Sequence, residues 1–235
     1  MNSEIRDTQV IYCLSGLGAD SRVFDKLELP GISLVHLEWL IPIGKEESLH
    51  DYAVRLSQSI KHENPVIFGL SFGGMMAIEI SRLINVKAVI LISSIKSATE
   101  LPVWMKLLGK CKAYKILPNR KLASIPGMNL FRPVQNFFLG ATAPEEIAIA
   151  NEFRDSVNPL YLKWSLGQIL RWKNDFQPPM VFHLHGDKDK IFPITRLKAS
   201  HVIRNGGHFM VMSHASEISP IICGIVEEIQ SRRTA

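Results

Sequence analysis

The stretch VIFGLSFGGMM, residues 66–76, places one polar side chain, Ser71, between glycines where an apolar run gives way to a helix-like pattern. Gly69–Gly73 fits G-x-S-x-G, in which a strand turns directly into a helix and lifts a serine hydroxyl to the edge of the sheet. Such a turn crowds the backbone, and glycines two residues before and after the serine relieve the crowding. We therefore expect a strand before Ser71, a buried helix after it and a nucleophilic hydroxyl between them.

Short apolar runs rich in β-branched residues recur along the chain, and helix-like segments separate most of them. Runs that are continuously apolar over this length are typical of strands covered on both faces. The alternation predicts an α/β fold with a mostly parallel, doubly wound sheet of about six strands. The predicted strands are residues 9–14, 32–37, 65–70, 86–92, 180–186 and 200–205.

Helix signals fit the same layout. Ser48, with Asp51 three residues later, resembles a capping box at the start of an amphipathic helix. The segment after Ser71 is apolar on most sides, which predicts a helix buried at the centre. A last helix is predicted from about Ser216, with Pro220 in its first turn.

More than eighty residues separate the predicted strands 86–92 and 180–186, too many for a single crossover helix. We interpret residues 97–175 as a helical lid inserted into a core made of residues 1–96 and 176–235. The aromatic and aliphatic residues of this insertion indicate several helices with an apolar underside.

A serine hydroxyl needs a base to become a nucleophile, and the base needs a group that orients it. Asp187 and Asp189 follow one predicted strand, within HGDKDKIFP, and His208 follows the next, within GGHF. Because the carboxyl ends of parallel strands meet at one edge of the sheet, both loops can reach the serine.

The order Ser, acid, His resembles that of the α/β-hydrolase superfamily, and the resemblance runs from about residue 9 to the C-terminus. In the family pattern H-G-x-x-D the acid stands last, which implies Asp189, with Asp187 as the alternative. The family's G-H-F loop implies His208 as the base. The resemblance also implies a lid at the position of the insertion.

An oxyanion hole stabilises the tetrahedral intermediate of acyl transfer. Ser15-Gly16-Leu17-Gly18 resembles the family's H-G-x-G loop, although Ser15 stands where histidine is common. The resemblance implies the backbone amides of Leu17 and Phe72 as the two donors.

Two alternatives compete with this interpretation. His183, His185 and Asp187 form part of the metal-binding pattern H-x-H-x-D-H, but Lys188 replaces its last histidine, so we expect neither a metal nor an organic cofactor. The same scaffold also hosts non-hydrolytic and receptor-like, ligand-binding members. Ser71 argues against the haloalkane-dehalogenase and epoxide-hydrolase branches, where an aspartate takes that position.

The charge and hydropathy of the sequence limit which kinds of partner we expect. Between residues 97 and 175 eleven Lys and Arg face six Asp and Glu, which accounts for the whole net charge of +5, yet no nucleic-acid-binding module accompanies them. No apolar run is long enough to cross a bilayer, and the first residues lack a secretory pattern. We expect a cytoplasmic protein with reduced cysteines, no nucleic-acid partner and no stable membrane insertion.

These features predict a serine hydrolase of the carboxylesterase or thioesterase type, which cleaves a small-molecule acyl substrate through an acyl-enzyme. Ser71 attacks, His208 transfers the proton, Asp189 orients the imidazole, and the amides of Leu17 and Phe72 hold the oxyanion. The choice between ester and thioester, and the oligomeric state, stay open.

Overall fold

A six-stranded sheet forms the centre of the molecule in the computed structural model, which describes residues 8–117, 120 and 124–232. The strands are β1 (Gln9–Leu14), β2 (Ile32–His36), β3 (Val66–Leu70), β4 (Ala88–Ile92), β5 (Val181–Gly186) and β6 (His201–Ile203). Their order is β2-β1-β3-β4-β5-β6, and every neighbouring pair is parallel. The predicted parallel sheet of about six strands is confirmed.

Eight α-helices are found in the described part of the chain, and the sheet lies between two groups of them. They are α1 (Leu49–Ser57), α2 (Phe72–Ser81), α3 (Val103–Lys110), α4 (Arg132–Leu139), α5 (Pro144–Ser156), α6 (Pro159–Arg171), α7 (Met210–Ser213) and α8 (Ala215–Ser231). Alternate residues of a strand enter different cores: Tyr12 of β1 packs with α1 and α2, whereas Ile11 packs with α8. None of these helices has the length and apolar character that a membrane span requires.

The first two helices form as the sequence predicts. Ser48 caps α1, and its hydroxyl accepts a hydrogen bond of 3.0 Å from the amide of Asp51. All ten residues of α2 are buried, so this helix is central to the core.

The position predicted for Pro220 was wrong. Helix α8 begins at Ala215, so Pro220 is its sixth residue and lies beyond the first turn. The helix starts early because the carbonyl of His214 accepts hydrogen bonds from the amides of Glu217 and Ile218, at 3.1 and 3.0 Å. The amide of His214 donates a hydrogen bond of 2.8 Å to the carbonyl of Met210 in α7, so this single residue connects the two helices.

Helices α3 to α6 occupy the long connection between β4 and β5, where the sequence predicts an insertion. Only part of its apolar surface faces inward: Tyr161, Trp164 and Trp172 are buried, whereas Phe131 and Phe137 are more than half exposed. The division into a core of residues 1–96 and 176–235 and an insertion of residues 97–175 stays a prediction. Parts of both predicted units, residues 1–7, 118–119, 121–123 and 233–235, lie outside the described residues.

The strand order places a crevice at the carboxyl ends of β1 and β3. The chain runs from β1 outward to β2, then crosses back to β3 on the other side of β1 and continues to β6. In open α/β sheets ligands bind at such a reversal of strand order. The loop after β1 begins at Ser15, and Ser71 directly follows β3.

Candidate active site

Ser71 occupies a strained turn between β3 and α2. Its backbone has φ 53° and ψ −117°, a conformation that residues other than glycine rarely adopt. The amide of Ser71 donates a hydrogen bond of 2.9 Å to the carbonyl of Ile92, at the end of β4. The turn is therefore fixed to the neighbouring strand, and the serine side chain stands at the carboxyl edge of the sheet.

The glycines around Ser71 are required by close backbone contacts. A Cβ atom on Gly69 would lie 2.5 Å from the carbonyl oxygen of Gly73, and one on Gly73 would overlap the carbonyl oxygen of Leu14. No side chain other than hydrogen fits at either position, which explains why the sequence pattern identifies this turn.

His208 lies within hydrogen-bonding distance of both Ser71 and Asp189. Its Nε2 is 2.8 Å from the hydroxyl oxygen of Ser71, and its Nδ1 is 2.8 Å from Oδ2 of Asp189. An ionised carboxylate only accepts hydrogen bonds, so Nδ1 carries the proton and Nε2 is left to accept the serine hydroxyl. The three residues predicted for the triad thus form one hydrogen-bonded chain.

Two hydrogen bonds fix the loop that carries His208. The carbonyl of Gly206 accepts a bond of 2.9 Å from the amide of Lys188, which joins this loop to the loop after β5. The amide of Phe209 donates a bond of 2.9 Å to the carbonyl of Leu139 at the end of α4. The imidazole is therefore held between the sheet edge and the inserted helices.

The carboxylate of Asp189 is buried and accepts several hydrogen bonds. Its Oδ1 accepts hydrogen bonds from the amides of Ile191 and Phe192, at 2.8 and 2.9 Å. Burial alone would raise the pKa of Asp189, but the charge and hydrogen bond of His208, with smaller contributions from His185 and the Phe192 amide, hold it below its ordinary value. This carboxylate is therefore ionised where it faces the imidazole.

Asp187, the alternative acid, lies elsewhere. Its Oδ1 accepts a hydrogen bond of 2.7 Å from the amide of Asn205, so this side chain closes the loop between β5 and β6.

His185 and His183 extend the buried chain behind Asp189. His185 Nε2 lies 3.3 Å from Asp189 Oδ2 and 2.7 Å from the carbonyl of Phe192, while its Nδ1 lies 3.2 Å from His183 Nε2. Burial lowers the pKa of both imidazoles, that of His183 to about 3, so both are neutral. Asp187 of the H-x-H-x-D pattern bonds to Asn205 instead, and no group of three or more His, Cys, Asp or Glu side chains among the described residues is arranged to hold a metal ion.

Leu17 lies at the cavity beside Ser71, and Phe72 is the first residue of α2. Within the described chain, no protein group accepts a hydrogen bond from the amide of either residue. The amide of Phe72 lies at a helix N-terminus, which favours negative charge.

The loop before Leu17 is held by Ser15, the residue that departs from the family pattern. The Ser15 hydroxyl donates a hydrogen bond of 2.6 Å to the carbonyl of Ala19 and accepts one of 2.9 Å from Nε1 of Trp39. Trp39 in turn stacks on the ring of Phe72, with ring centroids 5.2 Å apart. The side chains of Ser15 and Trp39 thus connect the loop that carries Leu17 to Phe72, although the sequence did not predict a role for Trp39.

A cavity of about 440 Å³ opens next to Ser71 and His208. Leu17 and Phe192 of the sheet edge line it together with residues of α3 to α6, such as Trp104 and Phe153. The lining is almost wholly apolar, which suits a ligand with an aliphatic or aromatic part.

Comparison with known proteins identifies the wider family. The model of the alpha/beta hydrolase family matches residues 6–220. No curated protein matches the chain at a significant level.

Several solved structures share the fold. A thermophilic esterase from Thermogutta terrifontis has a TM-score of 0.71 at 16% identity, with 94% of this chain and 90% of that chain covered. MenH from S. aureus has a TM-score of 0.66 at 21% identity, with 98% and 97% covered. An epoxide hydrolase from Bacillus megaterium has a TM-score of 0.64 at 15% identity, with 93% of each covered. Since proteins named for different reactions superpose about equally well, these similarities establish the fold alone.

Proposed function

Because the chain belongs to the alpha/beta hydrolase family, we propose that it hydrolyses a carboxylic ester or thioester through an acyl-enzyme formed on Ser71. Family membership supports hydrolase activity in general. The observation that carries the specific proposal is the chain of two 2.8 Å contacts from Ser71 through His208 to Asp189, at the mouth of an apolar cavity.

In the first half of the reaction His208 Nε2 takes the proton of the Ser71 hydroxyl as its oxygen attacks the acyl carbonyl. The imidazolium that forms is stabilised by Asp189, whose carboxylate is ionised and held by two backbone amides. His208 then gives the proton to the leaving alcohol or thiol, and the acyl group stays on Ser71.

The amides of Leu17 and Phe72 stabilise the negative charge that develops on the carbonyl oxygen. Each such donor contributes about 3 kcal/mol to transition-state stabilisation in related chemistry. In the second half of the reaction His208 activates a water molecule, which attacks the acyl-enzyme and releases the acid.

The insertion acts as a lid in this proposal. Its helices supply half of the residues that line the cavity, so they shield the acyl chain and the acyl-enzyme from bulk water. The substrate is a small acyl compound, and a chain-length series of acyl esters and acyl-CoA thioesters distinguishes the two bond types.

The test is hydrolysis of p-nitrophenyl butyrate by the purified protein and by two serine variants. Ser71→Ala is expected to abolish turnover, whereas Ser213→Ala, which changes an exposed serine at the end of α7, should retain it. Undiminished turnover by Ser71→Ala would place the nucleophile elsewhere. Thermal stabilisation of the wild type by esters without any product would favour a receptor-like, ligand-binding protein.

A further inference from the structure

Arg154 brings a positive charge to the wall of the apolar cavity. It lies on α5 with Ala150 and Phe153, at the spacing that puts side chains on one face of a helix, and all three line the cavity together with Val157, which directly follows α5. Arg154 carries the only permanent charge among the described residues that line it. A guanidinium in such surroundings is costly unless an acceptor of opposite charge balances it.

The described residues offer Arg154 only neutral hydrogen-bond acceptors. Its Nη2 donates to the amide oxygen of Asn136 and, at 2.6 Å, to that of Asn151. Its Nε is buried and has no acceptor among the described residues. Burial, the largest effect, lowers the pKa of this guanidinium, because it disfavours the charged form.

The carboxylate next to Arg154 in the chain, that of Asp155, is already paired with another arginine. Asp155 accepts two hydrogen bonds from Nη2 of Arg132, at 2.7 and 2.8 Å, and no ion pair links it to Arg154. The charges of Arg132 and Asp155 cancel, so one positive charge remains at the cavity wall.

We propose that Arg154 binds a carboxylate at the far end of the substrate's apolar chain, so that the preferred substrate is an ester or thioester carrying one free carboxylate. This inference rests on the proposed hydrolase function. A single cation balances a single negative charge, and the planar guanidinium, with Nε still free, matches the two oxygens of a carboxylate. Ser71 and Arg154 line the same cavity, and its apolar lining receives the intervening chain.

A binding experiment tests the proposal without relying on turnover. In the Ser71→Ala background, the methyl half-esters of a series of straight-chain dicarboxylic acids are compared by titration calorimetry with the matching ω-carboxamide methyl esters. At the best chain length the carboxylate should bind about 10- to 100-fold more tightly than the amide, because a charge-assisted hydrogen bond is much stronger than a neutral one.

The preference should depend on Arg154 itself. Adding Arg154→Gln should bring the ratio of carboxylate to amide affinity close to one. Arg154→Lys keeps the charge but loses the planar guanidinium that can pair with both carboxylate oxygens, so it should leave an intermediate ratio. The matched control is Arg171→Gln, which removes a guanidinium of α6 that does not line the cavity and leaves the Arg132–Asp155 pair intact, and it should leave the ratio unchanged.

Equal affinity for carboxylate and amide at every chain length, or a preference that survives Arg154→Gln, would overturn the assignment. If Arg154→Gln does not fold, the ratio for the protein with intact Arg154 and the effect of Arg154→Lys still decide it. Failure of the hydrolase proposal is seen separately, as absence of Ser71-dependent turnover of any ester by the wild type.

Discussion

The hydroxyl of Ser94 donates a hydrogen bond of 2.7 Å to the backbone carbonyl of Ser71. Ser94 is fully buried just after β4, and the same carbonyl also accepts the amide of Gly74 at 2.9 Å. A side chain from the neighbouring strand end therefore supports the strained turn that carries the candidate nucleophile.

Ser94→Ala should destabilise the protein by about 1–2 kcal/mol, because it removes a buried hydrogen bond at a strained backbone. Ser93→Ala is a matched control. Ser93 is equally buried, but its hydroxyl has no partner among the described residues, so its removal should be neutral or slightly stabilising. Urea unfolding of both variants measures the difference, and equal losses would show that the Ser94 contact contributes no special support.

Ser15→Ala should lower kcat at least about tenfold while KM changes little. The substitution frees the loop that carries the Leu17 amide, and an oxyanion donor acts mainly in the transition state. Steady-state kinetics with an activated ester measures the effect. Ser57→Ala, which removes a similar hydroxyl-to-carbonyl bond of 2.8 Å in α1, is the control. A kcat for Ser15→Ala equal to that of the control would exclude a positioning role.

The buried histidines should make the folded state less stable in acid. Burial lowers the pKa of His183 from 6.5 to about 3, so between these values the unfolded chain binds a proton that the folded chain excludes. The free energy of unfolding is therefore unaffected by protonation of this histidine above about pH 6.5. Below that pH it falls as the pH decreases, by up to about 1.4 kcal/mol per pH unit for one proton.

His183→Gln should reduce this pH slope by about one proton equivalent, whereas His50→Gln, which changes an exposed histidine, should leave it in place. Urea unfolding at several pH values between about 4 and 6 gives the slopes. An unchanged slope for His183→Gln would mean that the imidazole is charged in the folded protein.

Features set by neighbouring residues could be predicted from the sequence. The six strands follow from short apolar runs, and the turn at Ser71 follows from glycines whose hydrogens alone fit against the backbone. Asp189 and His208 could be placed beside Ser71, because each follows a strand of one parallel sheet and therefore lies at the same edge.

Features that depend on packing between distant segments could not be predicted. Ser94 supports Ser71 only because β3 and β4 are neighbours, although a serine directly after an apolar strand is a usable signal. Arg154 looked like one of many basic residues in the insertion, and only the packing of α4 and α5 around the cavity shows that it lacks a carboxylate partner. Pro220 was misplaced because α8 begins at Ala215, where the carbonyl of His214 accepts the first amides of the helix, so the proline is its sixth residue.

The most direct measurement is mass spectrometry of the protein after treatment with a fluorophosphonate, which reacts with activated serines. We expect one adduct, on the peptide that contains Ser71, with none on the Ser71→Ala variant and a much slower reaction after His208→Ala. An adduct on another residue, or labelling of Ser71→Ala to the extent of the wild type, would contradict a hydroxyl activated by the imidazole 2.8 Å away.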